Sequence, residues 1–142
     1  MTNKRIVVGI DGSDISKDAL RWAAAQARLT GAHLHVVMAW EIPALAYMAT
    51  IPNVDWEKDT QAILEQTLKE VLGTEPDVEV TSEVAEGHPA PVLLDRSDQA
   101  DLLVVGSRGH GAFTGMLIGS VSEHVVTHAH CPVVVVRPAA GS

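Results

Sequence analysis

The sequence predicts an α/β fold, a single doubly wound domain over residues 1–142 with a five-stranded parallel sheet and helices on both faces. Three observations predict it. Strand and helix patterns alternate from one end of the chain to the other. The strand segments include β-branched runs and a Leu-Leu-Val-Val stretch, the composition of strands covered on both faces. No internal repeat, low-complexity tract or linker divides the 142 residues, a length that suits one domain.

Each element follows from local signals. Arg5–Ile10 is a β-branched run stopped by Asp11-Gly12-Ser13, a turn-and-cap signal. Ser13 or Asp14 caps a helix whose apolar face is Ile15, Ala19, Leu20, Ala23, Ala24 and Ala27, and Thr30-Gly31 ends it. His33–Trp40 is a second strand centred on Val36, Val37 and Met38, with His33 and His35 expected on its polar face. Residues 41–55 contain Pro43 and Pro52, which break a long helix, and Ile42, Leu45, Tyr47, Met48 and Ile51, which suit a packed or covering loop. Trp56–Leu72 returns to helical period, with Leu64, Leu68, Val71 and Leu72 on one face and Gly73 as the stop. Residues 78–84 alternate as a strand at a sheet margin does. Residues 91–99 form a short helix, 101–105 a buried strand and 120–129 a helix with Val121, Val125 and Ala129 inward. Val133–Val136 is the fifth strand, between Pro132 and Pro138.

Composition bounds the function. A 46% hydrophobic, 20% charged chain can build a core, which excludes disorder as its main state. No apolar run approaches the roughly 20 residues of a membrane span, and the opening segment is too short and too soon acidic for a secretory signal. With 10 basic and 18 acidic residues the net charge is −8, which argues against broad nucleic-acid binding. One small anion held by local groups remains compatible. The single cysteine, Cys131, has no internal disulfide partner and fits a reducing cytoplasm.

Five of the 11 glycines fall in one stretch: Gly106, Gly109, Gly111, Gly115 and Gly119. Such a cluster after a strand implies positive φ angles or a close backbone approach to a ligand. Gly119-Ser120 opens a helix whose first-turn N–H groups, dipole and hydroxyls at Ser120 and Ser122 favour an anion, and Arg108 adds a full positive charge. Phosphate is the natural ligand. A strand order of 3-2-1-4-5 would place this loop opposite Asp11 across the crevice between strands one and four. The Walker loop fails because Ala112-Phe113 replace its Lys and Ser or Thr. The dinucleotide fingerprint fails because the intervals in Gly106-x-x-Gly109-x-Gly111 are reversed.

Gly106-Ser107-Arg108-Gly109, nine further residues and Gly119-Ser120 resemble the universal stress protein motif G-x2-G-x9-G-[S/T]. The opening Ile-Val-Val-Gly-Ile-Asp-Gly-Ser and the ending His-x-His-Cys-Pro-Val-Val-Val-Val are similar to that family too, so the likeness spans essentially the whole chain. The resemblance implies the 3-2-1-4-5 order and the ATP-binding branch, a nucleotide-dependent stress and signalling module in the cytoplasm. It also implies a homodimer through Val133–Val136, and the protein partner that would read the nucleotide state is unknown. Carried over by position, Gly9, Ile10 and Asp11 line the nucleoside end, with Asp11 near ribose or a phosphate-bound Mg2+, and the Ala39 backbone meets adenine. Val105, Gly106, Arg108 and Gly109 flank ribose and phosphates, and Gly119, Ser120, Val121 and Ser122 hold the phosphate chain.

Other constellations are weaker. His124, His128, His130 and Cys131 offer imidazole and thiol, but lack the second half of a zinc spacing. His110 reads as a solvated loop residue, and Trp22, Trp40 and Trp56 as packing residues. No paired-carboxylate or nucleophile-elbow signature appears, so a slow ATP hydrolase or nucleotidyl-transfer enzyme stands as the alternative, with a flavodoxin-like FMN carrier behind it.

Overall fold

The computed structural model describes residues 4–42, 55–109 and 118–138. Most of the loop expected over residues 41–55, together with His110, Gly111 and Gly115, lies outside the described residues. Strands β1 (Arg5–Ile10), β2 (His33–Trp40), β3 (Val80–Glu86), β4 (Leu102–Gly106) and β5 (Val133–Val136) alternate with helices. These are α1 (Asp14–Thr30), α2 (Trp56–Leu72), α3 (Pro89–Ser97) and α4 (Ser120–His128). All strand pairs are parallel and the order is β3-β2-β1-β4-β5.

Side-chain alternation divides the sheet into two dry faces. On one face Ile6, Val8, Val36 and Val104 pack against Ala19, Leu20, Ala23 and Ala27 of α1 and Leu64 of α2. On the other, Val7, Val37, Leu103 and Val105 pack against Ala90, Val92 and Leu93 of α3 and Val125 of α4. The alanine-rich stripe of α1 lets that helix lie close to the strands. Ser13 caps it, its Oγ accepting the Ser16 N–H, and Gly31 ends it at φ 73°, a left-handed conformation that glycine adopts without strain.

Several expectations shift. β3 runs two residues later than expected, because its pairing begins at Leu34↔Val80. α3 starts at Pro89, two residues early, with proline in the first turn where a missing N–H costs nothing. His35 does not sit on a polar face. It is buried, with Nδ1 2.6 Å from Thr81 Oγ1 and Nε2 2.7 Å from Glu83 Oε2 on the neighbouring strand. Trp22 is exposed rather than packed, while Trp40 and Trp56 are half-buried.

Candidate functional site

β1 and β4 are adjacent, and the chain leaves their carboxyl ends toward opposite faces of the sheet. β1 feeds α1 on one face; β4 leads on to α4 on the other. The divergence opens a crevice of the kind that binds ligands in doubly wound folds.

Past β1, Asp11 closes the turn. Its Oδ1 accepts the Ser13 backbone N–H at 2.9 Å and the Ser13 hydroxyl at 2.5 Å. Its own N–H donates to Ser16 Oγ, which in turn donates to the Ser13 carbonyl. Past β4, the Ser107 N–H donates to the Val136 carbonyl, tying the loop to β5, and the Ser107 carbonyl accepts the Gly119 N–H at 2.5 Å. The two ends of the glycine-rich loop are thereby pinned together. Gly119 is the N-cap of α4 and has no side chain with which to cap it, so the first-turn N–H groups lack a side-chain acceptor there. Ser122 is buried, and its hydroxyl donates to the Ser107 and Gly119 carbonyls at 2.9 and 3.1 Å. It braces the loop, and that hydroxyl is committed before any phosphate arrives.

The glycines have a reason other than the one expected. None of Gly106, Gly109 and Gly119 has positive φ. A Cβ on Gly119 would lie 3.3 Å from Arg108 Cα and 3.4 Å from the Ser107 carbonyl. One on Gly106 would strike Ile15 Cγ2 at 2.7 Å, and one on Gly109 would strike Asp11 Oδ2. The described ends of the loop pack tightly on each other and on the β1 turn. Gly9 plays the same part toward α3, since its Cβ would lie 2.6 Å from Leu93 Cδ1.

The result is a cleft of about 440 Å³. All twelve residues expected at a site come together in its wall: Gly9, Ile10, Asp11, Ala39, Val105, Gly106, Arg108, Gly109, Gly119, Ser120, Val121 and Ser122. Five others line it that sequence reasoning did not single out: Ser16, Glu41, His88, Pro89 and Leu93. Ser16 carried a signal, because Ser13-x-x-Ser16 is cap spacing. Glu41 and His88 carried none, being 47 positions apart and joined only by the fold. The floor (Ile10, Ala39, Leu93, Val105) is apolar, Arg108 supplies a cation, and Asp11, Glu41 and His88 supply the other ionisable groups.

The histidine cluster stays apart from this cleft. His124 and His128 stack with ring centroids 4.4 Å apart, while His130 turns to Asp98. Among the described residues, no three His, Cys, Asp or Glu side chains gather where a metal would need them. Cys131 is half-buried, and burial pushes its thiol pKa up, away from the reactive thiolate.

These features define a doubly wound α/β protein with a small-ligand cleft at its topological switch point. The profile of the universal stress protein family matches residues 2–137, and the chain belongs to that family. A universal stress protein of Mycobacterium tuberculosis is 39% identical over 136 residues, covering 93% of this chain and 44% of the relative. The chain thus spans about half the length of the curated relatives it matches. Among solved structures, universal stress protein UspA from Lactobacillus plantarum superposes with a TM-score of 0.79 at 25% identity, covering 96% of this chain and 99% of that one. A universal stress protein in complex with cAMP gives a TM-score of 0.64 at 26% identity, covering 96% and 98%.

Proposed function

We propose that this chain is an ATP-binding member of its family, acting as a nucleotide-dependent stress and signalling module. The observation that carries the reading is the cleft itself, where a helix start without a side-chain cap and Arg108 stand at one end of an apolar-floored cavity. Anions are favoured at such a helix start by unpaired N–H groups and the dipole. A volume of about 440 Å³ falls within the range of small-molecule sites. A relative with a bound adenine nucleotide, cAMP, supports the nucleotide class.

In this reading Ser120 and Val121 present backbone N–H groups to the phosphates, Gly119 leaves room for their approach, and Arg108 and Gly109 flank them. Ser122 holds the loop in shape. Asp11 lies against Gly109 and would meet Mg2+ carried in by the phosphates. The Mg2+ would neutralise phosphate charge. The nucleoside rests on Ile10, Ala39, Leu93 and Val105. In this reading the chain holds the nucleotide rather than turning it over, with Asp11 Oδ1 engaged twice by Ser13. The β5 edge supplies the contact between two copies of the chain.

Melting temperature with and without millimolar Mg-ATP tests the proposal. A ligand at about 100 times its Kd adds about 2.7 kcal/mol, a rise of several degrees for a chain of this size. Gly119→Ala is expected to shift the Arg108 and Ser107 backbone and remove that rise. An unchanged wild-type melting temperature overturns the reading.

A further inference from the structure

The cleft is chemically bipolar. At one end are Arg108 and the start of α4, which draw an anion. At the other are Glu41, the first residue past β2, and His88, the residue before α3. His88 Nδ1 lies 3.1 Å from Glu41 Oε1. The two side chains are 57% and 56% exposed, and so open a contact adds little to stability. They also sit beside Ala39 and Leu93, on the floor where a flat ring would lie.

An ionised carboxylate can only accept hydrogen bonds. A ligand that satisfies both ends therefore carries an anion at one end and a hydrogen-bond donor at the other. We propose that Glu41 reads the exocyclic amine of a nucleobase, with His88 holding the carboxylate in position. The inference rests on the nucleotide reading above and names the group that selects the base. Glu41 accepts from the amine while the Ala39 and Leu93 side chains support the ring. His88 acts through Glu41 and is a positioning residue.

Purine riboside 5′-triphosphate is ATP without its 6-amino group, so comparing the two isolates this contact. Their dissociation constants are measured calorimetrically, with Mg2+, for the wild type, Glu41→Ala, Glu41→Gln and His88→Ala. The wild type is expected to bind ATP about tenfold more tightly, the scale of one hydrogen bond to a charged group. Glu41→Ala brings the ratio near one while both ligands still bind. Glu41→Gln, which keeps an acceptor oxygen, restores part of the preference, and His88→Ala gives an intermediate ratio. A merely structural role would move both constants together and leave the ratio alone. A wild-type ratio near one, or a tenfold ratio that survives in Glu41→Ala, overturns the base-reading role and leaves nucleotide binding standing. Failure of the wild type to bind either triphosphate overturns both.

Discussion

Ser107 and Ser122 lie 15 positions apart and face each other across the loop that aims α4, yet their hydroxyls have opposite fortunes. Ser122 Oγ bonds two carbonyls, whereas Ser107 Oγ is buried with no hydrogen-bond partner among the described residues. Removing a satisfied hydroxyl forfeits about 1 kcal/mol, while removing an unsatisfied one relieves a desolvation penalty of similar size. Denaturant unfolding is therefore expected to show Ser122→Ala destabilised by about 1 kcal/mol and Ser107→Ala neutral or more stable. A large loss in Ser107→Ala would mean that its hydroxyl has work the geometry does not reveal. At this scale the sequence was partly legible. Its spacing brought Ser122 to the right loop, but gave it to phosphate, because the carbonyl of a residue 15 positions away leaves no trace in local pattern.

Among the elements, the β2–β3 pair holds a polar cluster built around the buried His35. His33 and His35 both reach Thr81 Oγ1, at 2.8 and 2.6 Å, and Glu83 joins His35 to Arg96 of α3, with Nη2 2.6 Å from Oε1. Arg96 also pairs with Asp95. Burial holds the His35 pKa below its ordinary value of about 6.5, outweighing the Glu83 carboxylate, which favours the charged form. Burial also pushes the Glu83 carboxyl up, but hydrogen bonds from Arg96 and His35 outweigh it and hold that group low. The signs are then fixed by linkage. As pH falls through the unfolded value of histidine, the unfolded chain takes up a proton before folded His35 does, so stability declines toward the folded value. Glu83 contributes above the ordinary carboxylate range and loses its contribution only at lower pH. The melting temperature should thus drop as pH falls below the ordinary histidine value of about 6.5, and His35→Asn should flatten that slope. A slope unchanged in the variant removes His35 as its source.

Element boundaries show where local pattern suffices. β1, β2, α2 and β5 match expectation because turn, cap and proline signals bracket them in sequence. β3 and α3 drift by two residues because pairing with β2 and packing of Ala90 and Leu93 set their registers. His35 was misread for the same reason, since its partners lie 46 and 48 positions away.

For the molecule as a whole, the two sheet margins differ. Pro132 and Val136 direct their carbonyls to β4, accepting from the N–H groups of Leu103 and Ser107. By the two-residue period of a strand, Val134 also faces β4, and Val133 and Val135 turn their backbone groups outward. If copies of the chain join through this edge, Val135→Pro removes an outward N–H without touching an inward bond. Sedimentation velocity should show a wild-type dimer and a folded monomeric variant. A variant that remains dimeric places the contact elsewhere. The opposite margin is of another character: Thr81, Ser82 and Glu86 are exposed along β3, and the Glu79 side chain beside it is 86% exposed. Two such acidic borders repel each other, while two valine borders attract. If copies do join through valine, that contact uses up the apolar margin of each sheet, so growth along the sheet would halt at a pair instead of running on into fibres.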